Sequence, residues 1–157
     1  MSFTGFADQI DKEKMVQNAS FWPDINLAEF QAAYRLPGEY RERMLVDRLR
    51  LGMLWANGEL ASFRSAQAAA GVATLAEVPV DEGEMLGDVH PKVLQYIQAV
   101  SSHAKALLLA DYATMLRKGD AQSDAKEAPE TADRWHREAL DALAAVRGSM
   151  TIYVEAL

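Results

Sequence analysis

The chain contains no cysteine and only three histidines among its 157 residues. Without a thiol there is no disulfide framework, no cysteine nucleophile and no thiolate zinc site, a pattern that suits a reducing compartment. Base is also scarce: 16 Lys and Arg stand against 23 Asp and Glu, for a formal charge of −7. Free-standing nucleic-acid binding draws on surplus Lys and Arg to neutralise phosphates, so this balance argues against it. Wholly apolar stretches are no longer than Ala106 to Ala110, whereas a membrane helix needs about 20 such residues in succession. The first twenty residues carry Asp8, Asp11, Lys12, Glu13 and Lys14 and lack the apolar stretch of a secretory signal. These absences lead to the expectation of a soluble intracellular protein with no membrane partner.

Chemical signatures are missing as well. There is no glycine-rich phosphate cradle, no GxGxxG after a strand, no Gly-x-Ser-x-Gly elbow and no His-Glu-x-x-His pair. His90, His103 and His136 are scattered. Asp133 and His136 lie three apart on one helical face, which could begin a metal site, but two ligands do not complete one. A solvated pair beside Trp135 is the simpler reading. The acidic run Asp81-Glu82-Gly83-Glu84 lacks the alternating ligands and closing Glu of a calcium loop. No catalytic residue, metal or cofactor is therefore assigned.

What is present is globular composition, 50% hydrophobic and 25% charged. The length fits one domain, able to bury about two thirds of its unfolded surface without a staple. Residues 1–20 read as a loose, flexible arm. Phe21-Trp22-Pro23-Asp24-Ile25 begins the ordered part, Pro23 holding Trp22 extended. Asn26 followed by Glu29 resembles a helix-opening box, so a first helix is predicted over 27–35, stopped by Pro37-Gly38. Leu45, Leu49, Gly52, Ala56, Leu60, Phe63 and Ala70 recur at three and four, predicting a long second helix over about 38–70. Asn57-Gly58 sits inside it without breaking the phase, a place for a bend, and Gly71 ends it.

Acids without a base fill the loop from Val72 to Asp88. Pro91 suits the first turn of a third helix, with Val93, Ile97, Val100, Ala104, Leu107 and Leu108 on one side and Gln95, Gln98, Ser102 and Lys105 on the other. A polar connector over 120–129 leads to a fourth helix capped by Thr131, facing inward with Trp135, Ala139, Leu143 and Val146 and closed by Gly148. From Met150 to Leu157 apolar and polar residues alternate, the pattern of an extended strand. No convincing partner strand is visible elsewhere. The fold class is all-α: about four helices over 21–148, a flexible arm before them and an extended tail over 149–157.

Charge around the second helix allows two readings. From Arg35 to Arg50 there are five arginines against three acids, and intrahelical pairing such as Glu39 with Arg43 accounts for them simply. In the sharper reading Arg43 and Arg50 form a basic face that meets Glu82 and Glu84 of a neighbouring copy. Such contacts between unlike patches build rings or filaments. The tryptophans divide similarly between core packing and interface anchoring, and helical spacing favours the core for Trp55 and Trp135.

Several of these segments, in this order, resemble the head completion (head stabilisation) proteins of temperate contractile-tailed phages and prophages. The likeness runs through Phe21-Trp22-Pro23-Asp24-Ile25, Leu51-Gly52-Met53, Asn57-Gly58-Glu59-Leu60, the stretch from Ala70 to Pro79, and Arg134-Trp135-His136-Arg137-Glu138-Ala139. Asp111-Tyr112-Ala113 departs from it by lacking an arginine beside the tyrosine. The resemblance implies a non-enzymatic adaptor of the head-tail connector, assembled in the host cytoplasm and carried in the virion. It implies a portal-bound ring, dodecameric to match the portal, that offers a platform to the next neck or tail protein. Packaged DNA would pass through without specific binding, which suits an acidic chain. The tail would contact the portal through Thr151, Ile152, Tyr153, Val154 and Leu157, an extended segment adding to a partner's exposed edge. The rival readings are a small metal-dependent enzyme using Asp133 and His136, and a helical regulatory module that binds a partner protein.

Overall fold

The computed structural model describes residues 10–116 and 127–149. It is mostly helical, as expected. Five α-helices follow one another: α1 (Leu27–Ala33), α2 (Glu42–Glu59), α3 (Ala61–Ala69), α4 (Pro91–Leu116) and α5 (Glu127–Arg147). Two residues of β1 (Met15–Val16) pair antiparallel with two of β2 (Ile25–Asn26).

Local chemistry accounts for most boundaries. The Asn26 side chain accepts the Glu29 amide at 2.9 Å and so caps α1. Only this half of the expected box forms, and the Asn26 side-chain nitrogen donates to the Lys12 carbonyl at 2.8 Å. Gly71 and Gly148 hold φ of +83° and +76°, the left-handed turn that ends a helix at little steric cost.

The long helix predicted over 38–70 is two helices. Its phase survives, since Leu45, Leu49, Gly52, Ala56 and Leu60 are all buried. Leu60 itself leaves helical geometry at φ −98°, ψ 12°, two residues after Gly58, and α3 departs with no buried residue of its own. The fourth predicted helix likewise starts earlier than Thr131, at Glu127.

Of residues 10–20, expected as part of a loose arm, Ile10 and Val16 join the core. Val16 is buried, and β1 pairs with β2 in a two-residue ladder that periodicity did not reveal. A polar segment this short is held by backbone and side-chain hydrogen bonds rather than by its own apolar pattern, such as the Leu27 amide to the Lys14 carbonyl at 3.0 Å.

Helix α4 runs through the middle, with α2 on one side and α5 on another. That position explains why Ser102, placed on a polar face by the sequence, is wholly buried. Gly52 lets α2 approach so closely that a Cβ there would lie 2.7 Å from the Val100 carbonyl oxygen. The core joins Trp22, Leu27 and Phe30 to Leu49, Tyr96, Leu108, Leu143 and Val146.

Candidate functional site

Helix α2 has a buried side and a charged one. Leu45, Leu49, Gly52 and Ala56 face inward, so residues half a turn away face solvent. Arg43 is there with its side chain almost fully exposed, its Nε 3.9 Å from Asp47 Oδ2. Arg50 reaches the other oxygen of the same carboxylate, also at 3.9 Å. Two guanidiniums thus share one acid at long range, and exposed pairs of this kind contribute about 0–1 kcal/mol. The expected Glu39 to Arg43 pair does not form, because Glu39 precedes the helix.

Arg48 behaves differently. Its Nη2 lies 2.7 Å from Asp111 Oδ2, both side chains about one third exposed (29% and 34%), and so ties α2 to α4. Asp111, in the segment without an arginine beside Tyr112, thus meets one supplied by another helix.

The acidic loop is exposed along its whole length from Asp81 to Val89. Glu82–Glu84 form one 3-10 turn. Leu86 and Val89 then exchange both backbone hydrogen bonds, at 3.2 and 3.1 Å, closing a tight hairpin. His90 fastens the base of this hairpin. Its Nδ1 accepts the Lys92 amide at 3.1 Å, which leaves Nε2 to donate to the Val78 carbonyl at 2.8 Å. Arg43 and Arg50 are thus on the outer side of α2, while Glu82 and Glu84 precede α4, and the fold does not bring the two pairs together within one copy.

Asp133 and His136 are both exposed on α5. Among the described residues no three His, Asp or Glu side chains converge as metal ligands. His136 belongs instead to a ring cluster: His103 stacks on Trp55 with centroids 4.3 Å apart and planes 8° from parallel, and His136 lies 5.6 Å from His103. Burial, and to a smaller degree His136, push the His103 pKa below its ordinary value. Trp135 is half-buried against Tyr34, at 5.3 Å, with the Lys105 ammonium 5.9 Å above it. Thr151, Ile152, Tyr153, Val154 and Leu157 lie outside the described residues.

One constellation escaped sequence reasoning. Tyr96 donates to Asn57 Oδ1 and accepts from Asn18 Nδ2 at 2.8 Å, and Asn57 Nδ2 donates to Asn18 Oδ1 at 3.0 Å. Asn57 belongs to the Asn-Gly pair that sits inside α2 without breaking its phase. Its place in an unbroken helical stripe was the one signal that its amide served a tertiary contact.

With this geometry in view, comparison with known proteins is decisive about kinship. The phage head completion protein (GPL) family matches residues 16–157. The chain belongs to that family. A head completion/stabilization protein of Escherichia phage P2 is 31% identical over 140 residues, covering 87% of this chain and 79% of the phage P2 protein. No solved structure matches. Membership supports a structural role for this chain in phage head assembly. The segments that carried the resemblance are structural determinants here: Trp22 and Ile25 enter the core, Gly52 makes the close helix contact, and Asn57 joins the polar network. The family match begins at Val16, the second residue of β1, within the segment first read as a loose arm.

Proposed function

We propose that this chain is a non-enzymatic adaptor that completes the DNA-filled head by binding the portal vertex as a ring. The observation that carries the reading is the family match, which extends through the helical body to the last residue of the tail. The ring would be dodecameric, matching the portal, and its free side would receive the next neck or tail protein. In this reading the protein is assembled in the host cytoplasm and remains in the virion.

The tail residues Thr151, Ile152, Tyr153, Val154 and Leu157 are the portal contact. Their alternation suits addition to an exposed strand edge, where main-chain hydrogen bonds supply affinity and alternate side chains selectivity. A net charge of −7 suits a ring that duplex DNA must traverse, since each phosphate gripped would add salt-sensitive affinity. Subunit contacts between exposed charges are individually weak, so the portal would template the ring by raising effective concentration.

Deleting residues 151–157 should leave the helical circular dichroism unchanged and abolish attachment to portal-bearing heads. Normal head completion by the truncated chain would overturn the assignment of the tail.

A further inference from the structure

Two exposed patches of this chain combine charge of opposite sign with large apolar side chains. On α2, successive residues step by about 100°, so Arg43, Asp47, Arg50, Leu51 and Leu54 share the face opposite the buried stripe. Leu54 is 70% exposed and Leu51 42%. Single apolar residues at a surface are ordinary. Two exposed leucines lie beside two exposed arginines, and residues 14–17 around β1 border the face only on its Arg43–Asp47–Arg50 side. The second patch is the acidic hairpin, where Leu86 is 60% and Val89 40% exposed. Four acids and no Lys or Arg lie between Val80 and His90.

From these features we infer that the hairpin of one copy docks on the outer face of α2 of the next, Leu86 and Val89 against Leu51 and Leu54, with Glu82 and Glu84 facing Arg43 and Arg50. The inference rests on the ring reading above and names its subunit contact.

The fold keeps the two patches apart within one copy. Gly52 sets the inner side of α2 against Val100 of α4, which turns the outer side away from α4. The hairpin leads through His90 directly into α4. A contact between unlike patches of separate copies is head to tail, and closes into a ring when the rotation permits. Apolar burial supplies the attraction, and the charges set orientation and register. The arginines retain donors for this purpose, because Asp47 serves both only at 3.9 Å and each guanidinium carries five N–H groups. The acids are equally available, since none of Asp81, Glu82, Glu84 and Asp88 forms a salt bridge among the described residues. Lys92, the cation that senses Glu84, donates to the Val146 carbonyl at 2.7 Å.

The absence of cysteine makes the test clean. A double variant, Leu54→Cys with Leu86→Cys, is oxidised as purified full-length chain at high concentration and low salt. Disulfides should link it into a ladder of trimers and higher species, while each single variant stops at dimer and a mixture of the two exceeds either alone. Adding Glu84→Lys should reduce the ladder about tenfold, and adding Arg50→Glu to that should restore it. Circular dichroism confirms that each variant is folded. A double variant that stops at dimer, a Leu86→Cys single variant that dimerises as well as the mixture, or a ladder indifferent to charge reversal would overturn the contact. Head attachment by the wild-type chain is scored separately. Normal attachment without a ladder removes this contact alone, and failure of wild-type attachment removes the head-completion reading instead.

Discussion

The indole of Trp22 lies flat on the ring of Tyr96, centroids 4.8 Å apart and planes 10° from parallel. Both rings are buried, and Phe21 packs against the indole in a T-shaped arrangement, centroids 4.7 Å apart. The Tyr96 hydroxyl continues the contact as a closed set of hydrogen bonds with Asn18 and Asn57. Stack and network together fasten the segment before α1 to both α2 and α4. Hydrogen bonds of this kind strengthen one another in a low-dielectric interior, and a missing member leaves its partners costly.

Removing one oxygen should therefore be felt. Tyr96→Phe keeps the stack on Trp22 but strips Asn57 and Asn18 of a partner. An unsatisfied buried polar group costs about 1–3 kcal/mol, and urea unfolding should report a loss of that size. Hydrogen exchange should quicken most at the Asn18 amide and its neighbours, where the N-terminal segment is held. A variant as stable as the parent, with unchanged exchange, would show that water replaces the hydroxyl without penalty.

Two glycines of α2 should respond in opposite directions. A Cβ at Gly52 would press on the Val100 carbonyl at 2.7 Å, whereas nothing lies within 4 Å of one at Gly58. Alanine favours a helix over glycine by about 1 kcal/mol, so Gly58→Ala should raise stability by roughly that amount. At Gly52 the same gain is outweighed by overpacking, which costs about 1–3 kcal/mol, and Gly52→Ala should lower the melting temperature. Equal behaviour of the two variants would contradict the close approach of α2 and α4.

His103 should give the stability a dependence on pH. Burial beside Trp55, with His136 nearby, holds its pKa below the ordinary value, and its Nδ1 is buried without a hydrogen-bond partner. The folded protein binds this proton less readily than the unfolded chain. Its contribution is thus full above the unfolded pKa of about 6.5 and declines as pH falls from there through the lower folded value. Urea midpoints measured from about pH 7.5 down to about pH 5.5 should fall, and His103→Phe, which retains a ring on Trp55, should flatten that decline. Identical slopes for parent and variant would remove His103 as the source.

The legible parts of the fold were those written in local pattern. The buried stripe of α2 kept its phase from Leu45 to Leu60, and Ala139, Leu143 and Val146 turned inward on α5. Asn26, Gly71 and Gly148 acted as helix punctuation because caps depend on neighbours only a few residues away. The exposed arginines and the base-free hairpin were legible too, since charge patterning survives folding unchanged. The break at Leu60 and the burial of Ser102 were not, because each depends on what packs alongside rather than on propensity.

By itself the sequence determined an acidic, cysteine-free, helical chain and, through the order of its motifs, a member of the phage head completion family. Periodicity and composition are properties of neighbouring residues, so they can be read in one dimension. Only the tertiary structure decided that Asn18, Asn57 and Tyr96 meet, that Arg48 finds Asp111, and that the early strand lies on β2. Those contacts join residues 9 to 78 positions apart. No local preference specifies such partners. The packing of α2 against α4 brings Tyr96 to Asn57 and Arg48 to Asp111, and the pairing of β1 with β2 holds the early segment in place.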